Sequence, residues 1–126
     1  MIESSPEVAA ALQKIDLAHA RKHLFFCPGP NCSDSAEGLK VWDYLKARVK
    51  ELDLKVLRTK TECFRICSGG PWLVVYPDGV WYGAMTPERC ERILREHIVG
   101  GCAIEEWVVA RRFLTDYVEP KPSPDI

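Results

Sequence analysis

The sequence predicts an α/β domain in which a βαβ crossover is followed by a ββα unit, giving a four-stranded mixed sheet behind an N-terminal helical extension. Three observations predict it. The apolar runs His23-Leu24-Phe25-Phe26 and Leu54-Lys55-Val56-Leu57-Arg58-Thr59 flank the strongest amphipathic pattern in the chain. Trp72-Leu73-Val74-Val75-Tyr76 and Val80-Trp81-Tyr82, rich in β-branched and aromatic residues, flank the turn Pro77-Asp78-Gly79 and read as a β-hairpin. Thr86-Pro87-Glu88 then opens a last periodic segment.

Taken in order, Ser5-Pro6-Glu7 supplies a cap, a proline at the first helical position and an acid in the first turn, with Val8, Leu12 and Ile15 at helical spacing. A helix over residues 6–20 is expected. His23 to Phe26 is a short buried strand that delivers Cys27, and Pro28, Gly29 and Pro30 end it. Asp34-Ser35-Ala36-Glu37 has the logic of a capping box, and Leu39, Trp42, Leu45, Val49 and Leu52 predict a helix over 35–51. The next strand, 54–59, runs parallel to the first, because a crossover of this length returns in the same direction. The last helix has Cys90, Ile93, Leu94, His97 and Ile98 inward and stops at Gly100-Gly101. A short amphipathic piece follows around Trp107–Leu114, and from Glu119 the chain is proline-rich and expected to be loose.

With 126 residues, 47% of them apolar, the chain can bury a core without disulfide staples. Its net charge of −1 gives no global field for nucleic acid. No apolar run reaches membrane-spanning length, and residues 1–20 lack the basic-then-apolar order of a secretory signal, so no membrane insertion and a cytoplasmic location are expected. In that compartment thiols stay reduced, and six cysteines imply metal ligation or inert burial before disulfides. From Lys40 to Arg65 eight basic residues face four acidic ones. Such a segment ordinarily makes a solvated helix face, and the sharper reading is a docking surface for an acidic partner.

The chemistry sits in Cys27, Cys32, Cys63 and Cys67, arranged as CPGPNC and CFRIC. Each pair follows the carboxyl end of one of the two parallel strands, so both meet at one end of the sheet. Four thiolates gathered there favour iron or zinc over hard oxygen-seeking ions and offset the charge of a cationic cluster. Ser35 stands where plant-type ferredoxin spacing needs a third cysteine, no histidine is placed for Rieske ligation, and neither pair is C-x-x-C. The last absence argues against both a zinc ribbon and a dithiol oxidoreductase. A four-cysteine zinc module stays open, because thiolates alone do not choose the metal.

The two pairs within βαβ–ββα order, followed by GGPWLVVYPDGVWYGAMTPE, resemble the thioredoxin-like [2Fe-2S] ferredoxin family over about residues 22–106. The resemblance implies a thioredoxin-like fold carrying one [2Fe-2S] cluster on Cys27, Cys32, Cys63 and Cys67. It also implies one-electron transfer between redox partner proteins without catalysis of a bond-making reaction, and a homodimer. The chain then divides into an N-terminal extension (1–21), the ferredoxin domain (22–106) and a C-terminal extension with a proline-rich tail (107–126). CPGPNC has a shorter first loop than free ferredoxins of the family. Its spacing is similar to the small iron-sulfur subunit of respiratory NADH dehydrogenase, which keeps a subunit of a larger oxidoreductase as the alternative. By analogy with thioredoxin-like folds, the Gly70–Pro71 peptide is expected to be cis.

Cys90, on an apolar helix face, reads as structural, and Cys102, beside two glycines, reads as structural or else as exposed and oxidisable. Gly29, Gly69 and Gly70 serve either turn geometry or close approach of backbone N–H groups to cluster sulfurs. Trp72, Trp81, Tyr82 and Trp107 read chiefly as packing, with at least one expected on a dimer or partner surface.

Overall fold

The computed structural model describes residues 2–112. Ser5 Oγ accepts the Val8 N–H at 3.3 Å and opens α1, Pro6–Lys14. The helix expected over 6–20 is cut short, because Asp16 adopts a left-handed conformation at φ 56° and only one 3₁₀ turn, Leu17–His19, follows. No residue of α1 is buried, and Val8, Leu12 and Ile15 are exposed.

Strand β1, Lys22–Cys27, leads through the first cysteine loop into α2, Ser35–Glu51. The Asp34 carboxylate accepts the N–H groups of Ala36 at 2.8 Å and Glu37 at 3.2 Å, holding two donors that the first turn leaves unpaired. The inward face of α2 is Gly38, Val41, Trp42, Leu45 and Val49. Leu39, expected on that stripe, is exposed, and Val41 takes its place. Strand β2, Val56–Lys60, starts two residues later than predicted and pairs in parallel with β1, with Lys22 opposite Val56 and Phe26 opposite Lys60.

Strands β3, Trp72–Tyr76, and β4, Val80–Tyr82, form the hairpin, and β3 lies antiparallel to β1 with Cys27 opposite Trp72. Helix α3, Pro87–Arg92, is capped by Thr86 Oγ1 accepting from the Arg89 N–H at 3.1 Å, and it widens into a π-helical stretch, Ile93–Val99. The four expected strands are joined by a fifth. Val108–Arg111, within the segment expected to be amphipathic, extends as β5 along β4, and the sheet order is β2-β1-β3-β4-β5. Short β-branched runs satisfy helix and strand patterns alike, and the open edge of β4 decides the matter here. The expected proline-rich end, and the part of the amphipathic piece beyond residue 112, lie outside the described residues.

One core lies between the sheet and the two long helices. Leu24, Phe26, Leu73, Val75 and Tyr82 meet Leu45, Cys90, Ile93 and Leu94, and Phe26 stacks on Trp42 with ring centroids 5.9 Å apart. The alternation of β1 turns His23 and Phe25 to the other face, where Phe25 packs edge-on against Tyr76. The ends of β1 and β2 therefore present both cysteine loops at the same edge of the molecule. Among the described residues no helix is long and apolar enough to cross a membrane.

Candidate metal centre

Cys27 closes β1 and Cys32 lies five residues on. Both are buried, with their sulfurs 3.6 Å apart. Two thiolates on one tetrahedral metal ion, with bonds of about 2.3 Å, stand roughly 3.8 Å apart, so the pair already has nearly the spacing that one metal requires. The loop between them is held by Ser33 Oγ donating to the Pro28 carbonyl at 2.9 Å, with Gly29 at φ 123° and the Gly29–Pro30 peptide cis. Burial, helped by the Cys27 thiol beside it, pushes the Cys32 thiol above its ordinary value. Such a thiol gives up its proton readily only when a cation takes the proton's place.

The second loop is fastened to the first. Thr61 N–H donates to the Phe26 carbonyl at 2.8 Å, and the Cys27 thiol lies 3.8 Å from the Glu62 carbonyl. At its far end Trp72 Nε1 donates to the Ser68 carbonyl at 3.0 Å, and Gly70 N–H donates to the Cys32 carbonyl at 3.0 Å. Phe64 and Ile66 pack onto a small apolar patch made by Cys27, Cys32 and Trp72. Cys63 and Cys67 alternate with these residues and are exposed. The structure thus brings the four predicted cysteines to one end of the sheet as a buried pair and an exposed pair. Among the described residues no three His, Cys, Asp or Glu side chains converge at metal-holding distance.

The glycines divide by role. A Cβ on Gly70 would stand 2.5 Å from Cys32 Sγ, so the residue keeps space beside a sulfur, while its N–H serves the Cys32 carbonyl. Gly29 and Gly69 hold positive φ. Gly38, not singled out from the sequence, matters as much: a Cβ there would lie 1.8 Å from the Pro28 carbonyl oxygen, so its absence lets α2 touch the first cysteine loop. Its signal was a glycine inside an otherwise strong helix, where alanine is worth about 1 kcal/mol more. Arg65 was missed too. It sits at φ 65° between Cys63 and Cys67, and its N–H donates to Cys63 Sγ at 3.1 Å.

Cys90 is fully buried, and burial pushes its thiol up to about 12, whereas Cys102 is exposed. Trp72 and Tyr82 are buried, as packing requires, and Trp107 lies under the guanidinium groups of Arg89 and Arg92. The Gly70–Pro71 peptide is cis, as expected, and Tyr76–Pro77 is cis as well.

No family model matches the chain. Among known proteins, a 2Fe-2S ferredoxin of Aquifex aeolicus (strain VF5) is 35% identical over 100 residues, covering 71% of this chain and 90% of that protein. A 2Fe-2S ferredoxin of Clostridium pasteurianum is 33% identical over 94 residues, 68% of this chain and 92% of that one. Among solved structures, a thioredoxin-like [2Fe-2S] ferredoxin from Aquifex aeolicus superposes with a TM-score of 0.65 at 30% identity, over 73% of this chain and 93% of that chain. Near-complete coverage of these relatives, on the same sheet that carries the two cysteine loops, places the chain in the thioredoxin-like [2Fe-2S] ferredoxin family.

Proposed function

We propose that the chain is a one-electron carrier holding a single [2Fe-2S] cluster through Cys27, Cys32, Cys63 and Cys67, and that it passes electrons between redox partner proteins without acting as an enzyme. The observation that carries this is the buried Cys27–Cys32 pair at 3.6 Å, covered by the loop that bears the other two cysteines. Two sulfurs at that spacing fit one metal, which favours Cys27 with Cys32 on one iron and Cys63 with Cys67 on the other.

When bound, the cluster supplies a site that gains and loses one electron with little change of shape. The chain's own residues set its surroundings. Cys27 and Cys32 lose their protons on ligation and give up the thiol contacts to the carbonyls of Glu62 and Cys27. The Arg65 N–H stabilises negative charge on the Cys63 sulfur and so favours the reduced state. Phe64, Ile66 and Trp72 keep water from the inner pair, and the exposed second pair leaves a thin path to a docked partner.

The same reading assigns the cluster to residues 22–106, with extensions at 1–21 and 107–126. It puts the protein in the reducing cytoplasm and makes it a homodimer. The half-buried aromatics Phe25, Tyr76 and Trp81, on the sheet face away from the helices, support self-association.

Protein purified without oxygen is expected to be red-brown and to contain about two iron and two sulfide atoms per chain. Replacing Cys27, Cys32, Cys63 or Cys67 by alanine should remove or destabilise the chromophore, while Cys90→Ala and Cys102→Ala should keep it. Stoichiometric zinc without sulfide, or bleaching by Cys90→Ala, would overturn the ligand set.

A further inference from the structure

The basic excess between Lys40 and Arg65 is not spread evenly once the chain is folded. Lys40 pairs with Glu37 at 3.1 Å, Lys46 with Asp43 at 3.4 Å, and Lys55 with Asp16 at 3.7 Å and Asp53 at 3.4 Å. Arg48 is taken up by Glu51 and Glu91, each at 2.7 Å. Arg58, Lys60 and Arg65 form no ion pair among the described residues, and all three are exposed. Lys50, also without one, stands at the end of α2 remote from the cysteines.

These three cations lie along the second cysteine loop. Lys60 is opposite Phe26, the residue before Cys27. Arg58 lies over the Trp42 ring, 5.8 Å from its centroid, and that ring stacks on Phe26. Arg65 projects between Cys63 and Cys67, its backbone tied to the Cys63 sulfur. Only Glu62 opposes them within residues 58–68. At the centre are the half-exposed apolar residues Phe64 and Ile66 and the two exposed cysteines. An apolar spot ringed by unneutralised charge has the composition of a transient docking site, where charge steers the approach and the contact itself stays small.

We propose that this surface is where electrons leave and enter, and that it selects redox partners whose own centre is surrounded by acidic residues. The inference rests on the cluster reading above. A thiolate-bound cluster adds negative charge beneath the loop and by itself would repel such a partner. Arg58, Lys60 and Arg65 reverse that local field, whereas Arg21, just before β1, and Arg95, in the π-helical stretch that packs near it, lie toward the end of the sheet away from the cysteine loops.

The test uses cluster-loaded protein, reduced and mixed in a stopped-flow instrument with cytochrome b5 as an acidic acceptor and with cytochrome c as a basic one. The rate toward cytochrome b5 is expected to fall about tenfold as salt rises from about 20 to about 300 mM, and the rate toward cytochrome c to stay flat or rise. Lys60→Glu with Arg65→Glu should lower the low-salt rate toward cytochrome b5 about tenfold and raise that toward cytochrome c, whereas Arg21→Glu with Arg95→Glu, an equal change of net charge, should alter neither by more than about twofold. If the glutamate pair holds less cluster, Lys60→Gln with Arg65→Gln gives the same reading at reduced size. A loaded wild type that favours cytochrome c at low salt, or a Lys60/Arg65 pair no different from the control, overturns the surface while leaving the carrier intact. A wild-type chain without iron and sulfide overturns the reading beneath it, and the surface with it.

Discussion

Cys32 and Gly70 show how single residues set the centre. The Gly70 N–H holds the Cys32 carbonyl, and the missing side chain leaves the sulfur its place, 2.5 Å from where a Cβ would be. Gly70→Ala must push Cys32 or the β3 lead-in aside. Such overpacking costs typically about 1–3 kcal/mol, and here the displaced atom is the sulfur proposed to bind the cluster. Lower iron and sulfide content and faster bleaching in air are expected, with the fold retained by circular dichroism. Gly38→Ala should act on the same loop from the helix side. Its gain in helix propensity, about 1 kcal/mol, does not offset a contact of 1.8 Å with a carbonyl oxygen. An unchanged cluster content in both variants would show that the loops tolerate a shift of this size.

Between elements, the hairpin turn is tied to the last helix by a chain of polar groups. The Ile104 N–H donates to the Tyr82 hydroxyl at 3.1 Å, which donates to His97 Nδ1 at 2.8 Å; His97 Nε2 donates to Asp78 at 2.6 Å, and Lys22 Nζ reaches both Asp78 oxygens at 2.6 and 2.8 Å. In this arrangement His97 is neutral. Burial lowers its pKa below the usual 6.5, with the Lys22 and Arg111 charges adding to the effect and Asp78 opposing it. Asp78 feels burial upward, but Lys22 and His97 hold it below the ordinary carboxylate range. The sign follows directly. With the folded pKa below 6.5, the unfolded chain binds more protons as pH falls, so the stability from His97 is full above about 6.5 and is lost below it. Urea midpoints should therefore drop between pH 7.5 and 5.5. His97→Gln should be less stable at pH 7.5 by about 1–3 kcal/mol, and its midpoint should change less with pH than the wild type's, which also isolates His97 from His19 and His23. An equal slope in both proteins would assign the pH dependence elsewhere.

At the scale of the molecule, the sheet carries its helices on one face and half-buried aromatics on the other, while the cysteine loops occupy one end. Trp81 reaches toward the centre, its ring edge-on to Phe64 at 5.2 Å between centroids, so the homodimer proposed above would form through Phe25 and Tyr76 at the other end of that face and leave each subunit's centre open to a partner. Light scattering on cluster-loaded protein at micromolar concentration should give twice the chain mass of 14.3 kDa. Tyr76→Glu, which puts a charge into the aromatic face beside Phe25 and opposite His23, away from the cysteine loops, should shift it toward a monomer with the absorption spectrum intact. A monomeric wild type would reject the dimer and leave the carrier function untouched.

Much of this protein is legible in its sequence because the signals are local. The capped starts at Ser5, Asp34 and Thr86, the Pro-Asp-Gly turn, and the placement of each cysteine pair after a strand depend on residues within a few positions of one another. Parallel pairing of β1 and β2 followed from the length of the crossover, and with it the meeting of Cys27 and Cys32 with the Cys63–Cys67 loop at one edge. What the tertiary structure decided are matters of long-range contact. Asp16 breaks the first helix in a left-handed conformation where its carboxylate meets Lys55, just before β2, at 3.7 Å. Val108–Arg111 becomes a strand because β4 offers an unpaired edge, which no local pattern announces. The necessity of Gly38 lies in a carbonyl ten residues away, and the bare charge of Arg58, Lys60 and Arg65 appears only after folding has neutralised most of their basic neighbours. Local sequence sets which elements can form, and contacts between distant residues set which surfaces they leave open.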